Sequence, residues 1–147
     1  MSIREIKRTA LVTFTPEQMF DLVVDVERYS EFLPWVAGAR VHHKTEHDLQ
    51  ASLTMERAGI RQSFTTRNLL QRPDRMSLEL VDGPFRMLEG LWTFSAIGAA
   101  GTRVELDMKF AFANPVASML FGRAFEQSVG ELIDAFVARA RQIHGAP

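Results

Sequence analysis

The sequence predicts an α+β fold in which a curved antiparallel β-sheet wraps around a long C-terminal α-helix. Two patterns predict it: apolar residues alternate with period two from Val36 to Phe112, and they follow helical spacing from Asn114 to His144. A chain of 147 residues is expected to form one domain, residues 1–147. Folding at this length buries about 68–70% of the surface of the unfolded chain, so a sizeable core is expected.

The N-terminal segment "IREIKRTALVTF" has the residue types of a strand. A helix follows, because Thr15 can cap it, Pro16 suits its first position and Gln18 stands where a capping-box partner belongs. Its polar face is expected to consist of Gln18, Asp21, Asp25 and Arg28. The buried arc is expected to hold Met19, Phe20, Leu22, Val23 and Val26. The helix should end near "YSEFLPW", residues 29–35, where Pro34 stops it and a short second helical turn is expected.

Six successive strands are predicted between Val36 and Phe112, each separated from the next by a turn signal. In "LQASLTMER", residues 49–57, apolar and polar side chains alternate up to Glu56, and in "TRVELDMKFAF", residues 102–112, they alternate up to Phe110. Turns are expected at "RAG", "RPDR", "DGP" and "GAAG". The simplest arrangement is one antiparallel meander.

The C-terminal helix is predicted to begin after Asn114, with Pro115 in its first turn, and to run to His144. That is roughly 30 residues, or about 45 Å. Its helically spaced apolar residues are Val129, Leu132, Ile133, Phe136, Val137, Ala140 and Ile143. Gly122 and Gly130 lie inside it and need a compensating reason such as close packing. One helix covers only part of a concave sheet, so a space between helix and sheet is expected, and function is expected there.

Composition narrows the class of protein. The formal net charge of −1 gives no overall attraction to nucleic acid or anionic lipid, and the sequence contains no cysteine. No disulfide, thiolate nucleophile or cysteine-based zinc site is therefore expected. The start "MSIREIKRTALVTF" lacks the apolar region of a signal peptide, and no run approaches the roughly 18 apolar residues that span a bilayer. We expect a cytoplasmic protein.

Catalytic motifs and metal sites are not predicted. His42, His43 and His47 cannot share one ion on a regular strand, because a separation of four residues corresponds to about 13 Å. The sequence has no G-x-S-x-G motif and no phosphate-binding glycine loop. Glu89 is the one carboxylate with large apolar neighbours on a strand; pointing inward it could act as an acid or base, but an exposed position is favoured.

Five arginines fall on or near two neighbouring strands and their turns: Arg57, Arg61, Arg67, Arg72 and Arg75. Together with Phe64 they could form a local patch for RNA phosphates. Solvated surface charge is the favoured interpretation, and the RNA-binding alternative stays open.

Several segments, taken in order, resemble a known family. "YSEFLPW", "QSFTTRN", "DGPFRMLEGLWTF", "FAFANP" and "FGRAFEQ" are similar to the START-like, helix-grip (SRPBCC) family of coenzyme Q-binding and RatA-type ribosome-association proteins. The resemblance covers nearly the whole chain. It implies a helix-grip fold, with the curved sheet gripping the long C-terminal helix around an apolar cavity.

The resemblance also implies a set of ligand-binding residues. By matched motif these are Phe32, Leu33, Pro34 and Trp35 at the cavity mouth, Phe64, Phe85, Leu88, Trp92 and Phe94 from strands, and Phe121, Phe125 and Val129 from the helix. Strand alternation limits the set, because Phe85 and Leu88 point to opposite faces unless a bulge intervenes.

Two functions are implied by the resemblance. The first is non-enzymatic binding or transport of ubiquinone or another polyprenyl lipid that supports respiration, with transient membrane contact, no required cofactor and no DNA partner. The second is a RatA-type toxin that binds the large ribosomal subunit and blocks subunit association. A third alternative, an enzyme acting on a bound polyketide, would need Glu89 or a histidine inside the cavity.

Overall fold

The structure, a computed structural model, describes residues 3–99 and 101–145. Within these residues the elements are β1 (Arg4–Val12), α1 (Pro16–Val24), a 3₁₀ helix (Val26–Glu31), β2 (Val36–Lys44), β3 (Asp48–Arg57), β4 (Ile60–Gln71), β5 (Arg75–Asp82), β6 (Phe85–Ile97), β7 (Gly101–Phe112) and α2 (Pro115–His144). Residues 1–2, Ala100 in the predicted "GAAG" turn and residues 146–147 lie outside the described residues.

The strands form one seven-stranded antiparallel sheet in the order β1-β7-β6-β5-β4-β3-β2. Strands β2 to β7 are neighbours in sequence order, so the predicted six-stranded meander is confirmed. The N-terminal strand joins it beside β7, in a register that runs from Arg4 opposite Phe110 to Val12 opposite Thr102. The chain therefore folds back so that its first strand pairs with its last.

The predicted start of α1 is confirmed. The Gln18 backbone N–H donates to the Thr15 hydroxyl at 3.1 Å, and the Thr15 backbone N–H donates to the Gln18 side chain at 2.9 Å. This is the reciprocal capping box that the sequence indicates. The α-helix ends at Val24, earlier than predicted, because Asp25 (φ −82°, ψ 66°) leaves the helical region. The 3₁₀ helix that follows supplies the expected second helical turn and includes the start of "YSEFLPW".

Helix α2 has the predicted bounds and 30 residues, with Asn114 Oδ1 accepting from the Ala117 N–H at 2.8 Å. Val129, Ile133, Phe136 and Ala140 are buried as the spacing predicts, whereas Ile143 in the last turn is 50% exposed. Gly122 is buried against the ring of Phe112, which a Cβ would approach to 3.5 Å. That distance is an ordinary van der Waals contact, so close packing does not account for a glycine at this position.

A cluster of phenylalanines joins the first half of α2 to β6 and β7. The Phe125 ring lies 4.9 Å from the rings of both Phe85 and Phe110, at interplanar angles of 61° and 78°. Phe112 stacks on Phe85 at 5.3 Å, and Phe121 meets both rings edge-on. Tilted and edge-on contacts of this kind add to the free energy of burial.

A bulge near the start of β6 decides which side chains face the helix. The pairing of β6 with β7 shifts register between Phe85 and Met87. Because the shift changes the alternation, Phe85 and Leu88 are both buried, at 5% and 2% exposure. The bulge that the sequence analysis allowed for is therefore present, and it lets both side chains be buried.

Gly90 on β6 yields a prediction about packing. A Cβ at this position would lie 2.8 Å from Leu78 Cγ and 3.0 Å from Met108 Sδ. We expect Gly90→Ala to lower the free energy of unfolding by about 1–3 kcal/mol, as overpacked cores do. Denaturant unfolding measures it.

Gly38→Ala on β2 is the matched control, because a Cβ there meets no atom within 4 Å. Its effect should stay within about 0.5 kcal/mol. Equal stability of the Gly90→Ala and wild-type proteins would contradict the packing described for β5, β6 and β7.

Candidate ligand cavity

A cavity of about 90 Å³ lies between the sheet and α2. Its wall is formed by the 3₁₀ helix and the segment that follows it, by strands β2 to β7, and by the middle of α2. Of the twelve predicted ligand-binding residues, seven line it: Leu33, Trp35, Phe64, Leu88, Trp92, Phe125 and Val129. The space expected between helix and sheet is therefore present, and its wall is mostly apolar.

The cavity is small in the described structure. Its volume of about 90 Å³ is below the roughly 150 Å³ that accommodates a benzene molecule in a protein core. Three methionines, Met55, Met76 and Met108, belong to the wall. Methionine side chains are unbranched and flexible, so this wall can repack around a larger guest. Ligand entry therefore requires side-chain displacement.

The other five of the twelve residues lie outside the cavity wall. The Phe32 ring lies 5.2 Å from the Phe136 ring, and the Arg139 guanidinium lies 5.1 Å from the Phe32 ring centroid. Pro34 is exposed. Phe85 and Phe121 belong to the phenylalanine cluster. The Phe94 ring stacks on the Trp92 ring at a centroid distance of 6.3 Å and does not line the cavity itself.

The segment "YSEFLPW" thus divides between cavity wall and supporting contacts. Leu33 and Trp35 line the cavity, and the Arg57 guanidinium lies 5.4 Å from the Trp35 ring centroid. Arg57 also makes two hydrogen bonds to the Glu131 carboxylate, at 2.9 and 3.0 Å. These bonds lower the pKa of Glu131 below its ordinary value. They tie the β3–β4 hairpin to α2 beside Trp35.

Tyr29 is the polar end of this segment, and it is buried. Its hydroxyl donates to the Val23 carbonyl. Burial, and secondarily the nearby charge of Asp25, raise the pKa of the Tyr29 hydroxyl above its ordinary value. The side chain therefore stays neutral and serves as a fixed part of the wall.

Three further polar side chains line the cavity, and the sequence analysis missed them: Thr66, Asn68 and Ser128. The Thr66 hydroxyl donates to Asn68 Oδ1 at 2.9 Å, and the Ser128 hydroxyl donates to the Ala124 carbonyl at 2.8 Å. Strand alternation could have identified two of them, because Thr66 and Asn68 share a face of β4 with Phe64. No comparable signal marks Ser128.

The titratable candidates of the sequence lie outside this wall. Glu89 is exposed, as favoured. His42, His43 and His47 are exposed too, with His42 Nε2 2.7 Å from Ser52 Oγ and His43 Nε2 3.5 Å from Asp48 Oδ1. Within residues 3–99 and 101–145, no cluster of three or more histidine, aspartate or glutamate side chains could hold a metal ion.

Comparison with known families matches residues 12–137 to the model described as "Polyketide cyclase / dehydrase and lipid transport". The chain belongs to this family. The resemblance to START-like proteins seen in the motifs is therefore confirmed.

The names of two relatives point to different functions of those proteins. "Ribosome association toxin RatA" of Vibrio cholerae is 40% identical over 143 residues, covering 97% of this chain and 99% of that protein. "Coenzyme Q-binding protein coq10, mitochondrial" of Schizosaccharomyces pombe is 25% identical over 145 residues, covering 94% and 87%. A START superfamily protein from Mycobacterium smegmatis aligns with a TM-score of 0.79 at 19% identity, covering 95% and 98%. This likeness confirms the helix-grip fold.

Four of the five arginines considered as an alternative RNA-binding patch have carboxylate partners in the structure. Arg57 pairs with Glu131, Arg61 with Glu56, Arg67 with Asp48 and Arg72 with Asp21. Arg75 is exposed. The arginines are thus largely neutralised by their neighbours, which weakens the hairpins as a phosphate-binding surface.

No helix within the described residues is both long and apolar enough to cross a membrane.

Tyr29 yields a prediction about pH, because it is the only tyrosine in the sequence. Its tyrosinate absorbance should titrate well above the ordinary pKa of 10.0 in the folded protein and near that value in denaturant. Since the unfolded chain loses this proton first, the contribution of Tyr29 to stability is fully present below pH 10.0 and is lost as the pH rises further. A folded-state midpoint at the ordinary value would contradict the buried position. Tyr29→Phe should lose stability less steeply in this alkaline range.

Proposed function

We propose that the chain is a non-enzymatic carrier that binds a neutral apolar ligand, a polyprenyl quinone such as ubiquinone, in the cavity between sheet and α2. The observation that carries the proposal is the character of the wall: among the described residues, no charged side chain lines the cavity. The coenzyme Q-binding relative supports the choice of ligand. Affinity would come from buried apolar surface, at about 25 cal/mol per Å².

The absence of a catalytic group from the described wall supports carriage over catalysis. The hydroxyl of Tyr29 is committed to the Val23 carbonyl, and its raised pKa makes it a poor proton donor. Glu89 and the three histidines of the β2–β3 region are exposed. General acid–base catalysis needs a titratable group within hydrogen-bond reach of the substrate.

Contact with a membrane is part of this proposal. A polyprenyl tail is longer than the cavity, so most of it would remain in lipid while the ring is bound. Val116, Met119 and Leu120 follow helical spacing on α2 and are 58%, 76% and 55% exposed. Arg123 lies one turn further on, and no acidic residue precedes it in the helix. An apolar face beside a cation suits the surface of anionic lipid.

Transfer from vesicles tests the carrier proposal. Wild-type protein mixed with ubiquinone-loaded anionic vesicles and then separated from them should carry extractable quinone. The fluorescence of Trp35 and Trp92, the only two tryptophans, should be quenched because both line the cavity. Ala51→Leu fills the cavity and should reduce the carried quinone about tenfold, which corresponds to about 1.4 kcal/mol.

Ala96→Leu is the matched control, because Ala96 is exposed on β6. It should carry as much quinone as wild type. Wild-type protein that leaves all quinone in the vesicles, with unchanged fluorescence and melting temperature, would overturn the carrier proposal.

Association with the large ribosomal subunit is the second candidate function. It is favoured by the 40% identity over nearly the whole chain to a protein named as a ribosome association toxin, which exceeds the identity to the coenzyme Q-binding relative. Sequence identity therefore favours ribosome association over quinone carriage, whereas the geometry of the cavity favours quinone carriage. The ion pairs of the hairpin arginines count against these hairpins as the contact surface.

Cosedimentation with purified large ribosomal subunits tests this candidate. Binding should be detectable at low salt and fall steeply as salt is raised, because contacts to RNA phosphates release counterions. Ala51→Leu should cosediment like wild type, since its change lies inside the cavity. Failure to cosediment at low salt would remove this candidate and leave the carrier proposal untouched.

A further inference from the structure

Asn68 is a buried polar side chain in the wall of an otherwise apolar cavity. It lies on β4, opposite Leu49 of β3 and Leu78 of β5, and is only 4% exposed. A buried carboxamide costs free energy unless its hydrogen-bonding groups find partners. Its partners therefore show whether the position is complete without a ligand.

The carboxamide is only half satisfied within the protein. Asn68 Oδ1 accepts from the Thr66 hydroxyl at 2.9 Å, but the one described partner of Nδ2 is Met76 Sδ at 3.7 Å. A thioether is a weak acceptor, and an amide nitrogen carries two N–H donors. If the amide were reversed, one N–H would donate to the Thr66 hydroxyl, and the other N–H would still have no acceptor. Either orientation leaves a donor without a strong acceptor among the described residues.

The three hydroxyl groups of the described wall already donate to protein acceptors. The hydroxyl of Thr66 donates to Asn68, that of Ser128 to the Ala124 carbonyl and that of Tyr29 to the Val23 carbonyl. Besides the indole N–H groups of Trp35 and Trp92, which also line the cavity, the Asn68 N–H is therefore the side-chain donor of the described wall without a strong acceptor. The wall can offer a hydrogen bond to an acceptor, and it offers no charge.

We infer that Asn68 is the specificity-determining residue of the cavity and donates a hydrogen bond to a carbonyl oxygen on the ring of a neutral ligand. The inference rests on the proposed carrier function and narrows it to carbonyl-bearing rings. A hydrocarbon of the same shape leaves the amide as unpaired as the empty cavity does. A fatty acid would instead bring a carboxylate to a wall where the neighbouring cation, Arg57, lies 3.4 Å from Ser128 Oγ and is already paired with Glu131.

A matched pair of ring compounds tests the inference: menadione, which has two ring carbonyls, and methylnaphthalene, which has the same ring skeleton without oxygen. Equilibrium dialysis is run with wild type, Asn68→Leu and Leu78→Met. Asn68→Leu should weaken menadione binding about fivefold to tenfold, the effect of one hydrogen bond, and leave methylnaphthalene binding equal or tighter. Leu78→Met, an apolar change in the same wall, should move both ligands in the same direction.

A second measurement needs no variant. The infrared carbonyl band of menadione bound to wild type should lie at lower frequency than in an alkane, as a hydrogen-bonded carbonyl does. An unshifted band would overturn the inference, as would menadione binding that Asn68→Leu leaves unchanged. Wild-type protein that binds neither ring would overturn the carrier proposal itself. Wild-type protein that binds both, with the band unshifted, would overturn only the role of Asn68.

Discussion

The burial of one face of α2 against the concave side of the sheet is the interaction on which the rest of the structure depends. Phe125 connects the helix to β6 and β7 through ring contacts at 4.9 Å, and Phe136 meets Trp92 at 5.3 Å. Between these two anchors the helix and the sheet do not close completely. The cavity is therefore a product of the packing, held open by aromatic groups too large to collapse into it.

The ion pairs at the surface act on the same packing. Arg57 reaches from β3 to Glu131 on α2, and Arg139 reaches from α2 to Glu31 of the 3₁₀ helix, at 2.7 Å. Each guanidinium also covers an aromatic ring of the "YSEFLPW" segment. The apolar side chains of this segment are thereby held against α2 by contacts on their solvent side. They serve partly as core and partly as the wall of the cavity.

The sequence predicts the elements well because each has its own periodicity and its own start signal. The meander, the capping box at Thr15 and the bounds of α2 follow from local rules. The early end of α1 at Val24 and the bulge in β6 do not, because tertiary packing sets them. The partners of Arg57 and Arg72 are equally out of reach, since Glu131 and Asp21 lie 74 and 51 positions away in the chain. The apolar character of the site could be predicted, but not the half-paired carboxamide of Asn68.

The central claim is that this cavity holds a neutral apolar guest, and native mass spectrometry tests it most directly. Protein purified from its own host, without detergent, is weighed intact and then extracted with organic solvent. The account predicts a copurifying polyprenyl quinone or similar carbonyl-bearing lipid at near-stoichiometric level. An empty protein that migrates with large ribosomal subunits would contradict it and make the cavity a by-product of packing.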